Sequence, residues 1–499
     1  MGAKRTTVAR TVGIALLMGV WLQAGCVEDL SELTPAQQAR LKDQRDRLAA
    51  RPRRIIFNND GADYPRGPET AEQFLARRLA ALADTQVDTL FYGTPYAYRA
   101  LTVALVNEKG TVTDKDHFQA VVEFCRQNGK EVFWSMRMNE THDSNIHGGL
   151  RLDDWKLDHR EMLMARSHMP FPYGWVNRPS WPWTAMDYEH IEVRQHILEV
   201  LADVMTRYDV DGVELDFWRW PVFFRPQLYG QPVTADQREI MTDLMRNVRL
   251  LTELVSVKRN RPLLIAVRVP DSVDYAAGVG LDIEAWLAED LVDLVVAGGL
   301  FQLQPWERTV SLVKPHGKPV YACLSRSRIP DDVEAFRGEA WDAWQAGVDG
   351  IYVFNVTDPK HSMLREIGDA KMLAALPRKT KYALGHMEWW HVQRISTILK
   401  GGEAFFDRSL MSRWQEPWPR FDLPFNVGLE PGTDVRMVCT DDRYKLSYSE
   451  RRNAYELYDM LNDPHEHQDL SRLQPDVFEA MRQRFEEWRA EHKTLLYGS

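Results

Sequence analysis

Eight short apolar runs rich in β-branched residues divide the chain between residues 53 and 356: RRIIFNND, VDTLFYGT, KEVFWSMRMN, DGVELDFWRW, PLLIAVRVPD, LVDLVVAGG, KPVYACLS and DGIYVFNV. Stretches of helical periodicity lie between them. Near-continuous hydrophobic strands that alternate with helices belong to parallel sheets covered on both faces. The intervals keep the helical period: in MDYEHIEVRQHILEVLADVMTRY, Ile197, Leu201, Val204 and Met205 fall three or four apart and make one buried stripe. An open doubly wound sheet is the rival arrangement, but no Gly-rich phosphate loop follows any of the runs. The expectation is an α/β fold, a (β/α)8 barrel over residues 52–375.

At 499 residues the chain is longer than such a barrel needs. Its start, MGAKRTTVARTVGIALLMGVWLQAGC, places Lys4, Arg5 and Arg10 before an apolar stretch from Thr11 to Leu22, then small residues before Cys26. Residues 1–26 therefore read as an export signal rather than a membrane span. LQAGC resembles a bacterial lipobox, with Gln23 where such boxes usually carry Leu. The resemblance implies lipid attachment at Cys26 and an exported protein in the cell envelope, anchored at a bacterial membrane and facing the periplasm or the surface. Residues 27–51 are polar and helix-forming, and suit a tether helix or linker. Residues 376–430 are Trp- and Pro-rich without a period and read as a linker or accessory region. From 431 to 499 the pattern predicts a small α+β module: three alternating strands, a turn at Asn462-Asp463-Pro464, and an amphipathic helix from Pro475 to about Lys493.

A net charge of −10 with scattered basic residues argues against nucleic acid as a partner. Cys125, Cys323 and Cys439 are dispersed and form neither a disulfide framework nor a metal-ligand spacing. ETHDSNIH clusters Glu140, His142, Asp143 and His147 without HExxH spacing, so no metal and no cofactor is expected.

The fourth run carries the chemistry. In a strand, alternate side chains share a face, so Glu214 and Asp216 point one way while Val213 and Leu215 point the other. In a barrel the shared face is the interior, and the C-terminal strand ends open into the mouth where active sites sit. Two close inward carboxylates repel, which raises one pKa and leaves the other ionised, as glycosidic chemistry requires. Pairing with Arg137, Arg219 or Arg268 is the alternative, in which the carboxylates only balance buried charge. Polar groups gather at the other strand ends too: Asn58, Asn59 and Asp60; Asn139, Glu140 and His142; Asp271; Asn355 and Asp358. Trp175, Trp181, Trp183, Trp218 and Trp220 offer flat faces for sugar rings or for core packing. The connection from Asn139 to about Met186, rich in His, Trp, Pro and Tyr, is long for a barrel loop and should lie over the mouth.

YDVDGVELDFWRWP, with MDYEHIEVR upstream and GVGLDIEAWLAEDLVDLVVAGG downstream, resembles the bacterial glycoside-hydrolase-like (family 10-like) barrel proteins over roughly residues 52–360. That resemblance implies action on polysaccharides. The strand is also similar to the chitinase signature Asp-Gly-x-Asp-x-Asp-x-Glu, but Trp218 falls where the acid belongs, so substrate-assisted chitinase chemistry is disfavoured. Barrels with a glutamate nucleophile on strand seven are not matched, because KPVYACLS ends without a carboxylate. An arrangement resembling α-amylase, with an aspartate nucleophile on strand four and an acid on strand five, implies those parts for Asp216 and Asp271; the assignment expected here is Asp216 as nucleophile or charge stabiliser, with Glu214 or Asp271 as general acid. Asn59, Arg137, Asn139, His142, Trp218, Arg219, Arg268 and Asn355 would then contact substrate. RMVCTDDRYKLSYS and YELYDMLNDPHEHQDLS are similar to the C-terminal subdomain of type I sulfatases, which makes a sulfated glycan a candidate substrate. The sulfatase nucleophile motif is missing: CLSRSR at Cys323 lacks the proline. Three functions stay open: a glycoside hydrolase acting on a polysaccharide, a non-catalytic glycan-binding lipoprotein, and a sulfatase-related hydrolase.

Overall fold

Each of the eight runs forms a strand, and the strands close on themselves. The computed structural model describes residues 34–491 except 61–63, 66, 95–102, 142, 144–151, 165–183, 230, 300–301, 327–331, 357, 382–397, 400–401, 408, 411–425, 431–435, 441–442, 450–451, 460–462 and 464–467. In chain order the strands are β1 (Ile55–Asn58), β2 (Val87–Gly93), β3 (Ala104–Val106), β4 (Val112–Asp116), β5 (Glu131–Arg137), β6 (Gly212–Asp216), β7 (Leu264–Val269), β8 (Leu294–Ala297), β9 (Val320–Ser325) and β10 (Gly350–Phe354). β3 and β4 form a separate antiparallel hairpin that the periodicity did not announce. The other eight make a closed barrel, with β10 beside β1 and every barrel pairing parallel. The (β/α)8 expectation holds, and closure rules out the open sheet.

Local signals set the helices. Thr34, Thr70 and Thr234 each accept from the backbone three residues on, and Gln37, Gln73 and Gln237 reach back, so three helices start with full capping boxes. The helix Ile191–Arg207 buries Val193, Ile197, Leu201, Val204 and Met205 against the barrel, the stripe that its spacing predicts.

Register stacks the interior in rows. Ser135, Glu214 and Ala266 are neighbours in one row, and Arg137, Asp216 and Arg268 in the next toward the C-terminal ends. At the opposite end, Arg53 is fully buried and pairs with Glu131, whose carboxylate also accepts from Thr89.

The segment expected as a tether is part of the barrel's floor. The helix Pro35–Ala49 inserts Ala49 into the core, and buried Arg45 pairs with Glu253 at 2.7 Å, with Asp293 at 3.0 Å and with Asp290. Arg53 donates to the Leu48 and Ala49 carbonyls at 2.9 Å, tying the end of this helix to β1. No helix among the described residues is long and apolar enough to cross a membrane.

Beyond the barrel, the accessory region is also more than a linker. Phe405, in the short helix Gly402–Phe405, meets Tyr275 edge to face, and the Asp407 N–H donates to the Leu303 carbonyl at 2.7 Å. The C-terminal module holds four antiparallel strands, not three: β11 (Asn426–Glu430), β12 (Arg436–Thr440), β13 (Tyr444–Ser449) and β14 (Ala454–Asp459). The extra strand, β11, lies inside the stretch read as linker. Helix Pro475–Glu491 packs on the sheet around Leu446, Tyr448, Leu457, Met481 and Phe485.

Candidate active site

β6 presents its two carboxylates to the barrel interior, one row apart. Asp216 is 1 % exposed and held by four donors. Its Oδ1 accepts the backbone N–H of Trp218, that of Arg219 and Arg268 Nε, all at 3.0 Å. Its Oδ2 accepts from Arg268 Nη2. A carboxylate oxygen has two lone pairs, so Oδ2 retains acceptor capacity that crowded Oδ1 does not. Arg268 is fully buried with its guanidinium 4.0 Å from the Phe354 ring, and the charge of Asp216 holds its pKa well above the usual range against the effect of burial.

Glu214 lies in the row below, and nothing of it reaches solvent. Tyr352 Oη donates to its Oε1 at 2.7 Å and Asn58 Nδ2 to its Oε2 at 3.2 Å, with Ser135 a further partner. Burial pushes the Glu214 carboxyl up to about 7, and the negative charge of Asp216 adds to the rise. Glu214 is thus the member of the pair whose carboxyl is raised, and Asp216 lies in the row nearer the mouth. Glu214 is enclosed one row below Asp216, which is itself almost fully buried.

Around the mouth runs a ring of alternating charge. Arg137 binds Glu140 and both the carbonyl and the carboxylate of Asp60, while Arg219 sits 3.7 Å from Asp60. Asp60 has φ 51° and Asn355 φ 59°, left-handed turns at the ends of the first and last barrel strands that aspartate and asparagine accept better than most residues. Asn58 makes the first of these turns by accepting the Asp60 N–H at 2.8 Å. Burial alone would raise the Asp60 carboxyl, but Arg137, Arg219 and Arg268 hold it below its usual range.

Several residues expected to touch substrate are engaged in structure instead. Asn59 clamps the Gly93 backbone, accepting its N–H at 2.7 Å. Asn139 is fully buried, accepts the Met186 N–H at 2.9 Å and donates to the Met186 and Val222 carbonyls. Arg268 serves Asp216. Asp271 accepts the N–H groups of Leu303 and Gln304 at 2.8 and 2.9 Å through Oδ2, which posts the loop after β8. Trp218 is 2 % exposed, wedged against Tyr275 and Gly299, and Trp220 is equally buried. Arg137, Arg219 and Asn355 remain partly exposed at the mouth. Cys26, His142, His147, Trp175, Trp181 and Trp183 lie outside the described residues. Among the described residues no group of three His, Cys, Asp or Glu side chains is placed to hold a metal ion.

Sequence reasoning did not assign Tyr352, Phe354 and Ser135, and it left Asn58, Asp60 and Glu140 as generic strand-end polarity. The signal was alternation: in DGIYVFNV, Tyr352 and Phe354 share a face, and an inward face for one fixes both.

The fold and site together define a (β/α)8 barrel with a buried carboxylate–arginine centre at its C-terminal mouth. No family model and no curated protein matches the chain. Solved structures similar to it include the GH36 α-galactosidase AgaA from Geobacillus stearothermophilus, at 12% identity over 80% of this chain and 47% of that one, with a TM-score of 0.35. The glycoside hydrolase domain of PgaB (BpsB) from Bordetella bronchiseptica is 14% identical over 64% of this chain and 98% of that one, with a TM-score of 0.43. A GH18 N-acetylglucosaminidase from Paenibacillus barengoltzii is 12% identical over 62% of this chain and 97% of that one, with a TM-score of 0.36. The chain thus matches about half the length of the galactosidase.

Proposed function

We propose that this protein is an exported, lipid-anchored glycoside hydrolase acting on a polysaccharide, with Asp216 as the carboxylate that faces the anomeric carbon. The observation that carries this reading is the asymmetric hold on Asp216. Three donors fix Oδ1, and Oδ2 keeps a lone pair beside one arginine nitrogen. Such a carboxylate is held in one orientation by its donors, which suits it to attack or stabilise positive charge developing on a sugar ring. Arg137, Arg219 and Asn355 at the rim would bind hydroxyl or anionic substituents, and a sulfated glycan fits the two arginines. Cys26 is the proposed point of lipid attachment.

One observation favours a second reading, a glycan-binding protein without turnover. Asp60, Glu140, Asp216 and Asp271 are each held by an arginine or by backbone N–H groups. The two readings separate in a reducing-end assay on neutral and sulfated polysaccharides, run beside calorimetric binding to the same panel. Release from any member supports the hydrolase. Binding without release from any supports the second reading.

A further inference from the structure

The two carboxylates of β6 share one cation. Around Glu214, the interior groups are Asp216 on its own strand, Arg268 on β7, Tyr352 and Phe354 on β10, Asn58 on β1, Ser135 and Arg137 on β5, and Cys323 next to Tyr352 across the β9–β10 pairing. Of the two cations in that set, Arg137 is committed to Asp60 and Glu140, which leaves Arg268, bound through two nitrogens to Asp216. Two enclosed carboxylates against one guanidinium hold one proton between them, since a second bare charge in the low-dielectric interior is costly. Asp216 has four donors that favour its anion, so the proton resides on Glu214, where the Tyr352 and Ser135 hydroxyls are able to turn and accept it.

We propose that Glu214 is a charge-compensating residue for Asp216, retaining its proton while Asp216 faces no positive charge beyond Arg268 and releasing it to bulk water when positive charge develops against Asp216 from the mouth. This deepens the hydrolase reading, in which positive charge develops against Asp216 during turnover and Glu214 answers from the row below. Glu214 is on this account a positioning residue that never touches substrate. Burial and the Asp216 charge are the two largest causes of its raised pKa, in keeping with that role.

The experiment needs no substrate. The protonated-carboxyl stretch of Glu214 is followed by difference infrared titration, with Glu214→Gln identifying the band. The expected midpoint is near neutrality in the wild type. In Asp216→Asn it should fall by about one unit or more, a tenfold loss of proton affinity. Should Asp216→Asn fail to fold, Tyr352→Phe decides. Removing a donor to the carboxylate should move the midpoint upward. An unshifted midpoint in the folded Asp216→Asn protein, or in Tyr352→Phe where that variant decides, overturns the proposal, as does absence of the band in mildly acidic wild type. A protein that titrates as described yet releases no sugar retains this inference and loses the hydrolase reading.

Discussion

At the scale of single residues, Glu214 gives the protein a pH-dependent stability of definite sign. Its carboxyl rises from 4.5 to about 7 on folding, so between these values the folded state binds a proton that the unfolded state has lost. Stability contributed by this group is complete below about pH 4.5, falls as pH rises toward 7, and is then level. Thermal melts across that range should show the decline in the wild type and a flatter curve in Glu214→Gln; parallel curves would remove Glu214 as the cause. Gly299 offers a second check. A Cβ there would stand 2.4 Å from Trp218 Cδ1 and 2.9 Å from Arg268 Nη1. Gly299→Ala should destabilise by about 1–3 kcal/mol in urea denaturation by displacing the side chains that orient Asp216. The sequence made the Glu214 and Asp216 pair visible, because strand alternation is local. It did not show that Arg268 belongs to Asp216 or Tyr352 to Glu214, since those contacts span 52 and 138 residues.

Among the elements, all eight barrel strands were legible, because continuous apolar runs in a doubly covered sheet leave a strong local trace. The helix at residues 35–49 was recognisable as helical but not as docked. Its overall polarity hides two buried side chains, Ala49 and Arg45, and the Arg45 partners Glu253, Asp290 and Asp293 lie far along the chain. Removing one partner of a buried ion pair leaves the others uncompensated, at a cost of about 3–5 kcal/mol. Asp293 also contacts Arg249 and Lys318, which softens that loss. Arg45→Ala should therefore lower the unfolding free energy by about 2–4 kcal/mol, measured in urea. A free tether would give no change. The module's first strand, β11, escaped notice because it follows a Pro- and Trp-rich stretch that masks where regular structure resumes.

For the whole molecule, the barrel places a buried aspartate, its arginine and a charged rim at one end, while the docked N-terminal helix closes the other. The C-terminal sheet carries its own small core around Leu446, Leu457 and Phe485. The hydrolase account stands on Asp216. The most direct measurement compares initial rates of reducing-end release by wild type and Asp216→Asn on whichever polysaccharide of the panel is cleaved, with a melt confirming that the variant is folded. The prediction is a loss of about a thousandfold or more in the folded variant; release at the wild-type rate would contradict it.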